Sequence, residues 1–134
     1  MNEQREYIFE MPIKVRDYEV DSQGIVNNAN YLHYLEHTRH EFCEKMGFTF
    51  RDMQQQGIDP VVSRIEIEYH TPLRLGQTMI SKLYLERRGA RFLFHQDIFT
   101  TDGRLAVSAL VTVVSIEHGR LSRGDAIAKA FNLQ

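Results

Sequence analysis

The chain is short of cross-links, of net charge and of the usual catalytic signatures. Its 134 residues hold one cysteine, Cys43, so no disulfide can close within it, which fits a reducing compartment. Sixteen Lys and Arg stand against eighteen Asp and Glu, a formal net charge of −2. Bulk attraction to nucleic acid or to an anionic membrane is therefore not expected to drive binding. No apolar run approaches a membrane span, and the opening MNEQREYIFE is polar and acidic, without the apolar stretch of a signal peptide. A cytoplasmic protein is the expectation. No serine lies in G-x-S-x-G, and neither a phosphate loop nor a dinucleotide fingerprint occurs. Prolines are few, and Pro12, Pro60 and Pro72 all fall in or beside strand-like segments.

What is present suits one domain. Hydrophobic residues make up 43% and charged residues 25%, and a chain of this length buries roughly two-thirds of its unfolded surface. Residues 1–6 read as a flexible tail. From Tyr7 the pattern alternates: Tyr7, Phe9, Met11, Ile13 and Val15 point one way, and Pro12 makes this strand an edge or breaks it locally. After a Gly- and Asn-rich loop the period changes. Tyr31, Leu35, Thr38, Phe42 and Met46, widened by Leu32 and Cys43, form the apolar stripe of a helix over 29–46. Asn27 or Asn28 can cap its start, and Gly47 suits its end. Residues 49–56 allow a further helical turn. Strands follow after Pro60, over 78–88, over 91–100 and over 104–116, with a short helix from Asp125 to Leu133. The tight turns force antiparallel pairing, and the 104–116 strand, apolar on both faces, is expected at the centre. The layout is α+β: one antiparallel sheet wrapped around one long helix, with sheet surface left to be covered in a homo-oligomer.

The junction between the first strand and the helix carries the chemistry. In VDSQGIVNNANYLHY, Asp21 ends the strand, Gly24 permits a sharp turn, and Asn28 lies at the helix start. A helix N-terminus presents unpaired N–H groups and a partial positive charge, suited to a carbonyl oxygen and to the oxyanion formed on attack. A neighbouring carboxylate can attack the carbonyl or activate a water. An Asp ahead of a Gly in such a loop is equally an ordinary turn residue.

Other groupings carry competing readings. His33, Glu36 and His37 match H-x-x-E-H, a zinc-protease pattern that still needs a third ligand, against an exposed face bearing histidines. Glu36 and Arg39 are either a pocket wall or a surface pair worth a few tenths of a kcal/mol. Arg87, Arg88 and Arg91 flank a turn where they can grip phosphate or stay solvated. Cys43 reads as a core thiol.

The stretch VRDYEVDSQGIVNNANYLHYLEHTR, with its D-x-x-G-x-V loop and N-x-x-Y helix start, resembles the hotdog-fold thioesterases of the 4-hydroxybenzoyl-CoA thioesterase type, including the YbgC-like acyl-CoA thioesterases. PVVSRIEIEYHTPLRLGQ, RFLFHQDIF and DGRLAVSALVTVVSI fit as well, so the resemblance spans about Tyr7 to Ser122. It implies a five-stranded antiparallel sheet around the helix, and a homodimer or homotetramer with sites at the dimer interface. Asp21 would be the catalytic carboxylate, as nucleophile or general base, and the Asn28 backbone N–H the oxyanion donor. Gly24, Tyr31, Glu36 and Ser63 would meet the substrate, and Arg87, Arg88 and Arg91 the phosphates of CoA. YbgC-like members often carry His at Asn28 and Tyr at Asp17, and neither is present here. The expected activity is hydrolysis of an acyl-CoA thioester, or less favourably one on acyl carrier protein, with no metal or redox cofactor. The alternatives are an acyl-CoA-binding hotdog module without catalysis, and a hotdog dehydratase or hydratase, for which the junction lacks a His partner.

Overall fold

The computed structural model describes residues 6–133, so nearly all of the expected N-terminal tail lies outside it. Strand β1 (Phe9–Lys14) leads through a single 3-10 turn (Asp17–Glu19) to helix α1 (Asn30–Lys45). A short helix α2 (Phe50–Gln55) follows. Then come β2 (Ile58–Tyr69), β3 (Thr78–Arg88), β4 (Arg91–Thr100), β5 (Leu105–Glu117), the short β6 (Arg120–Ser122) and helix α3 (Asp125–Ala130). The sheet runs in the order β1-β3-β4-β5-β2 with every pair antiparallel, and β6 pairs only with the end of β5. This is the curled sheet around one long helix expected of a hotdog fold, with β6 an addition to the five strands anticipated.

Both edges carry proline, as its missing N–H requires. Pro12 lies on β1, which pairs only with β3. Pro60 lies inside β2 rather than ahead of it, opposite Ser115. The expected single alternation along β2 is interrupted. The register shifts between Val62 and Arg64, so Ser63 is a bulge residue, and the face reverses there. Ile58 joins the core before the bulge, while Ile67 and Tyr69 pack toward the helix after it.

Helix α1 buries Tyr31, Tyr34, Leu35, Thr38, Arg39, Phe42 and Cys43. Leu32, expected to widen the apolar stripe, is exposed, and Tyr34 and Arg39 are inside instead. The core has two apolar halves. Tyr31, Tyr34 and Leu35 pack with Ile13, Val26, Leu73, Ile98 and Val107, whereas Phe42 and Cys43 pack with Phe92, Phe94, Val113 and Phe131. Between them runs a polar seam. Thr38 Oγ1 meets Ser81 Oγ at 2.7 Å, and Gln96 Nε2 donates to the Leu35 carbonyl at 3.0 Å. Arg39 Nη1 donates to Gln96 Oε1 at 3.0 Å.

Candidate active site

The junction is built on Glu19. Its Oε1 accepts the Arg16 backbone N–H at 2.8 Å and the Tyr34 hydroxyl at 2.9 Å. Its Oε2 accepts Arg16 Nη2 at 2.6 Å and Nε at 3.0 Å. Burial pushes this carboxyl upward, but the Arg16 hydrogen bonds and the Tyr34 hydroxyl outweigh it and hold it below its ordinary range. The Glu19 carbonyl accepts from Asn27 N and Asn30 Nδ2, tying the turn to the helix start.

The loop from Val20 to Val26 closes as a miniature hairpin, with Val20 bridging to Val26. Asp21 N donates to the Ile25 carbonyl and Gly24 N to the Asp21 carbonyl, both at 2.9 Å. Gly24 has φ +75°, the left-handed region that favours glycine. Asp21 Oδ1 accepts from Gln23 N at 2.8 Å and Ile25 N at 3.2 Å, an Asx turn. The side chain is exposed in the single chain, and Oδ2 has no hydrogen-bond partner among the described residues. Asp21 thus fills the turn role with one oxygen and leaves the other unpaired among the described residues.

At the helix start, Asn27 rather than Asn28 supplies the side-chain acceptor, taking Ala29 N at 3.0 Å. Asn28 N has no partner among the described residues, while its carbonyl accepts the Tyr69 hydroxyl at 3.2 Å. A cavity of about 280 Å³ opens here, lined by Ile25, Asn28, Tyr31, Tyr69, His70 and their neighbours. Tyr31 is buried, and its hydroxyl oxygen accepts from Leu73 N at 3.1 Å. Asp21 does not line this cavity within one chain.

Glu36 lies in a second cavity, of about 290 Å³, toward the other end of the helix. Arg39, His40, Cys43, Phe50, Pro60, Val62 and Phe131 are among its walls. Ser63, Arg88 and Arg91 come together in a third, of about 450 Å³, with Arg64, Glu66 and Leu93. Arg87 does not join them. Its Nη2 donates to Asp125 Oδ1 at 2.6 Å and to the Arg123 carbonyl at 2.7 Å, and its Nε to the Gly89 carbonyl at 3.0 Å. Arg87 instead lines a separate cavity at the same turn, with Gly89, Ala90 and Arg123, and holds the start of α3.

His33 and His37 lie on the exposed face of α1. Among the described residues no group of three or more His, Cys, Asp or Glu side chains is placed to hold a metal ion. Burial pushes the Cys43 thiol up to about 12, as befits a core thiol.

Sequence reasoning missed Glu19, Tyr34, Tyr69 and Gln96. The first three hold the junction, and Gln96 orients Arg39. Glu19 and Tyr34 are fifteen residues apart, and no periodicity links a turn residue to a helix residue. The available signal was Tyr34 itself, a hydroxyl-bearing ring on the inner face of the helix that needs a buried partner.

A curled antiparallel sheet wrapped on one central helix, with a carboxylate loop leading into that helix, defines the protein as a hotdog-fold domain. The profile of the thioesterase-like superfamily matches residues 15–131, and the chain belongs to that family. It is 37% identical over 91 residues to the acyl-acyl carrier protein thioesterase ATL3 of Arabidopsis thaliana, covering 67% of this chain and 48% of that one. It therefore spans about half the length of that relative. With the acyl-CoA thioesterase YbgC of Haemophilus influenzae it shares 29% identity over 115 residues, covering 84% of each. The crystal structure of a hypothetical protein from Aquifex aeolicus superposes with a TM-score of 0.85 at 28% identity, covering 91% of this chain and 98% of that one. No described helix is long and apolar enough to cross a membrane.

Proposed function

We propose that the protein hydrolyses acyl-CoA thioesters. The thioester oxygen lies against the Asn28 N–H at the positive end of α1, which stabilises the negative charge that develops there. Asp21 either attacks the acyl carbon, expelling CoA thiolate and leaving an acyl-aspartyl anhydride for water to cleave, or takes a proton from a water that attacks directly. Either route gives the free acid and CoA thiol. Gly24 keeps the loop free of side-chain bulk beside the acyl carbon, and Tyr31 walls the cavity.

One observation carries this reading. The Asn28 N–H has no protein partner at the mouth of a cavity, while the preceding loop holds a carboxylate by one oxygen and leaves the other open.

The site is completed by a second copy. Strand β2 is a twelve-residue edge, paired only with β5. Val61, Val62, Ile65 and Tyr69 stand 44%, 41%, 39% and 49% exposed along it. A long unpaired edge with exposed apolar side chains among its charges is a template for pairing. The strand runs from Pro60 and Val62, beside the Arg39 cavity, to Tyr69, beside Asn28. Antiparallel pairing of β2 with its copy brings each chain's Asn28 end toward the other's Arg39 end. Asp21 then faces a partner surface instead of bulk water, and Glu36 of the opposite chain meets the acyl group. Ser63, Arg88 and Arg91, with Arg64 beside them, receive the phosphates of CoA.

Thioesters of acyl carrier protein are the less favoured substrate. The rival, an acyl-CoA-binding domain without catalysis, predicts tight binding with no thiol release. A thiol-release screen of wild type and Asp21→Asn across acyl-CoA chain lengths and aryl-CoAs separates them. Turnover on the best substrate is expected to fall about a hundredfold or more in the variant, and unchanged turnover would end the assignment of Asp21.

A further inference from the structure

The Arg39 cavity has a feature that an acyl-chain pocket does not need. Its walls are largely apolar, with Phe50, Met53, Phe92, Phe94 and Phe131 among them, yet Arg39 sits in one wall only 6% exposed. The guanidinium makes one hydrogen bond, to Gln96 Oε1, and no carboxylate of the described residues comes within 4.0 Å of it. Gln96 is fully buried and spends its amide nitrogen on the Leu35 carbonyl, so it aims Arg39 without neutralising it. Burial disfavours the charged form of Arg39; Glu36, which lines the same cavity three residues earlier, opposes this without coming within 4.0 Å of the guanidinium. A buried, uncompensated cation costs several kcal/mol, and a guanidinium stays protonated. The missing element is an anion with a flat, two-oxygen face.

We propose that Arg39 is a specificity residue, and that the acyl group taken by this cavity carries a carboxylate at the end remote from its thioester. The substrate class is then the mono-CoA thioester of a dicarboxylic acid with a small apolar body. The proposal rests on the thioesterase reading for the position of the thioester. The reacting carbonyl belongs at Asn28 of one chain, and the Arg39 cavity of the other meets the far end of the acyl group. A space of about 290 Å³ bounded by aromatic rings suits a phenyl ring or a short chain between the two ends.

The experiment measures affinity and turnover separately. Affinity is read by calorimetry with matched neutral and acidic amides, which mimic the acyl group without a hydrolysable bond: adipic acid monoamide against hexanamide, and terephthalic acid monoamide against benzamide. Wild type should bind the acidic member of at least one pair roughly tenfold more tightly than its neutral twin. Arg39→Met should erase the difference, and Arg39→Lys should keep part of it. The aliphatic and aromatic pairs report which body fits. Equal affinities within both pairs on wild type, a comparison that needs no variant, would overturn the proposal, as would a preference that survives in Arg39→Met. Turnover of adipyl-CoA against hexanoyl-CoA tests the parent reading. An acid preference in binding with no thiol release from either ester sinks hydrolysis and leaves the Arg39 assignment standing. Equal hydrolysis of both esters with no binding preference does the reverse.

Discussion

Tyr34 donates its hydroxyl to Glu19 at 2.9 Å, joining the inner face of the helix to the turn that feeds the carboxylate loop. Glu19 is 5% exposed and Tyr34 1%, so the contact is made in the interior, where an unpaired member of the pair would be costly. Through the Glu19 carbonyl the same residue also anchors Asn27 and Asn30. The loop bearing Asp21 is therefore mounted on a buried carboxylate.

This mounting gives a pH dependence. The folded-state value of Glu19 lies below its ordinary 4.5, so the stabilisation it supplies is complete above about that pH and is lost as pH falls through the lower folded value. Glu19→Gln should destabilise the protein by about 1–3 kcal/mol at neutral pH. It should also flatten the fall of Tm below pH 4.5, which thermal melts of both proteins across the acid range would measure. Parallel acid profiles in the two proteins would show that Glu19 is not the responsible group.

Two substitutions separate the turn role of Asp21 from its proposed catalytic one. Asparagine keeps an oxygen able to accept from Gln23 and Ile25, so Asp21→Asn should melt within about 0.5 kcal/mol of wild type while losing turnover. Alanine removes the acceptor as well, so Asp21→Ala should lose turnover and about 1 kcal/mol of stability together. Melting curves beside thiol-release rates make the comparison. If both variants lose stability and neither loses rate, the residue is a turn former only.

The junction shows what was legible in the sequence. Its loop and helix start could be read from Asp21, Gly24 and the asparagines because capping and turn chemistry are local, and the strand boundaries at 78–88 and 91–100 followed from Gly89 and the Asp102-Gly103 turn for the same reason. The reversal along β2 was hidden. A bulge at Ser63 is set by pairing with Val113 and Thr112, about fifty residues downstream, and nothing beside Ser63 announces it. The placing of Glu36 and Arg39 in one pocket wall was one of two readings open in the sequence, but the depth of Arg39 was not, because Gln96 on β4, distant in the chain, holds it inside. The two roles open to the arginine cluster were likewise divided by a distant residue, Asp125.

The exposed edge of β2 predicts an assembly. Ile65 lies mid-strand and lines none of the cavities described, so Ile65→Lys places a charge on the pairing edge without touching the substrate. Sedimentation should show the variant at half the mass of wild type or with a much raised dissociation constant, and its turnover should fall with the loss of assembly. A variant that assembles like wild type would remove β2 as the interface.

Arg87 and Arg91 offer the last separation. Arg87 is 15% exposed and fixed to Asp125 and to the Arg123 carbonyl, so Arg87→Ala should lower Tm by about 4 °C, corresponding to roughly 1 kcal/mol. It should leave KM for acyl-CoA near its original value. Arg91 is exposed on the groove shared with Ser63, Arg64 and Arg88, so Arg91→Ala should leave Tm unchanged and raise KM several-fold. Because phosphate contacts at an exposed groove are screened by salt, that rise should shrink as ionic strength increases. Melting curves and KM at two salt concentrations decide it. A KM effect in Arg87→Ala without a change in Tm would reassign the phosphate contact to the other arginine, and neither effect in either variant would move the CoA phosphates away from this turn.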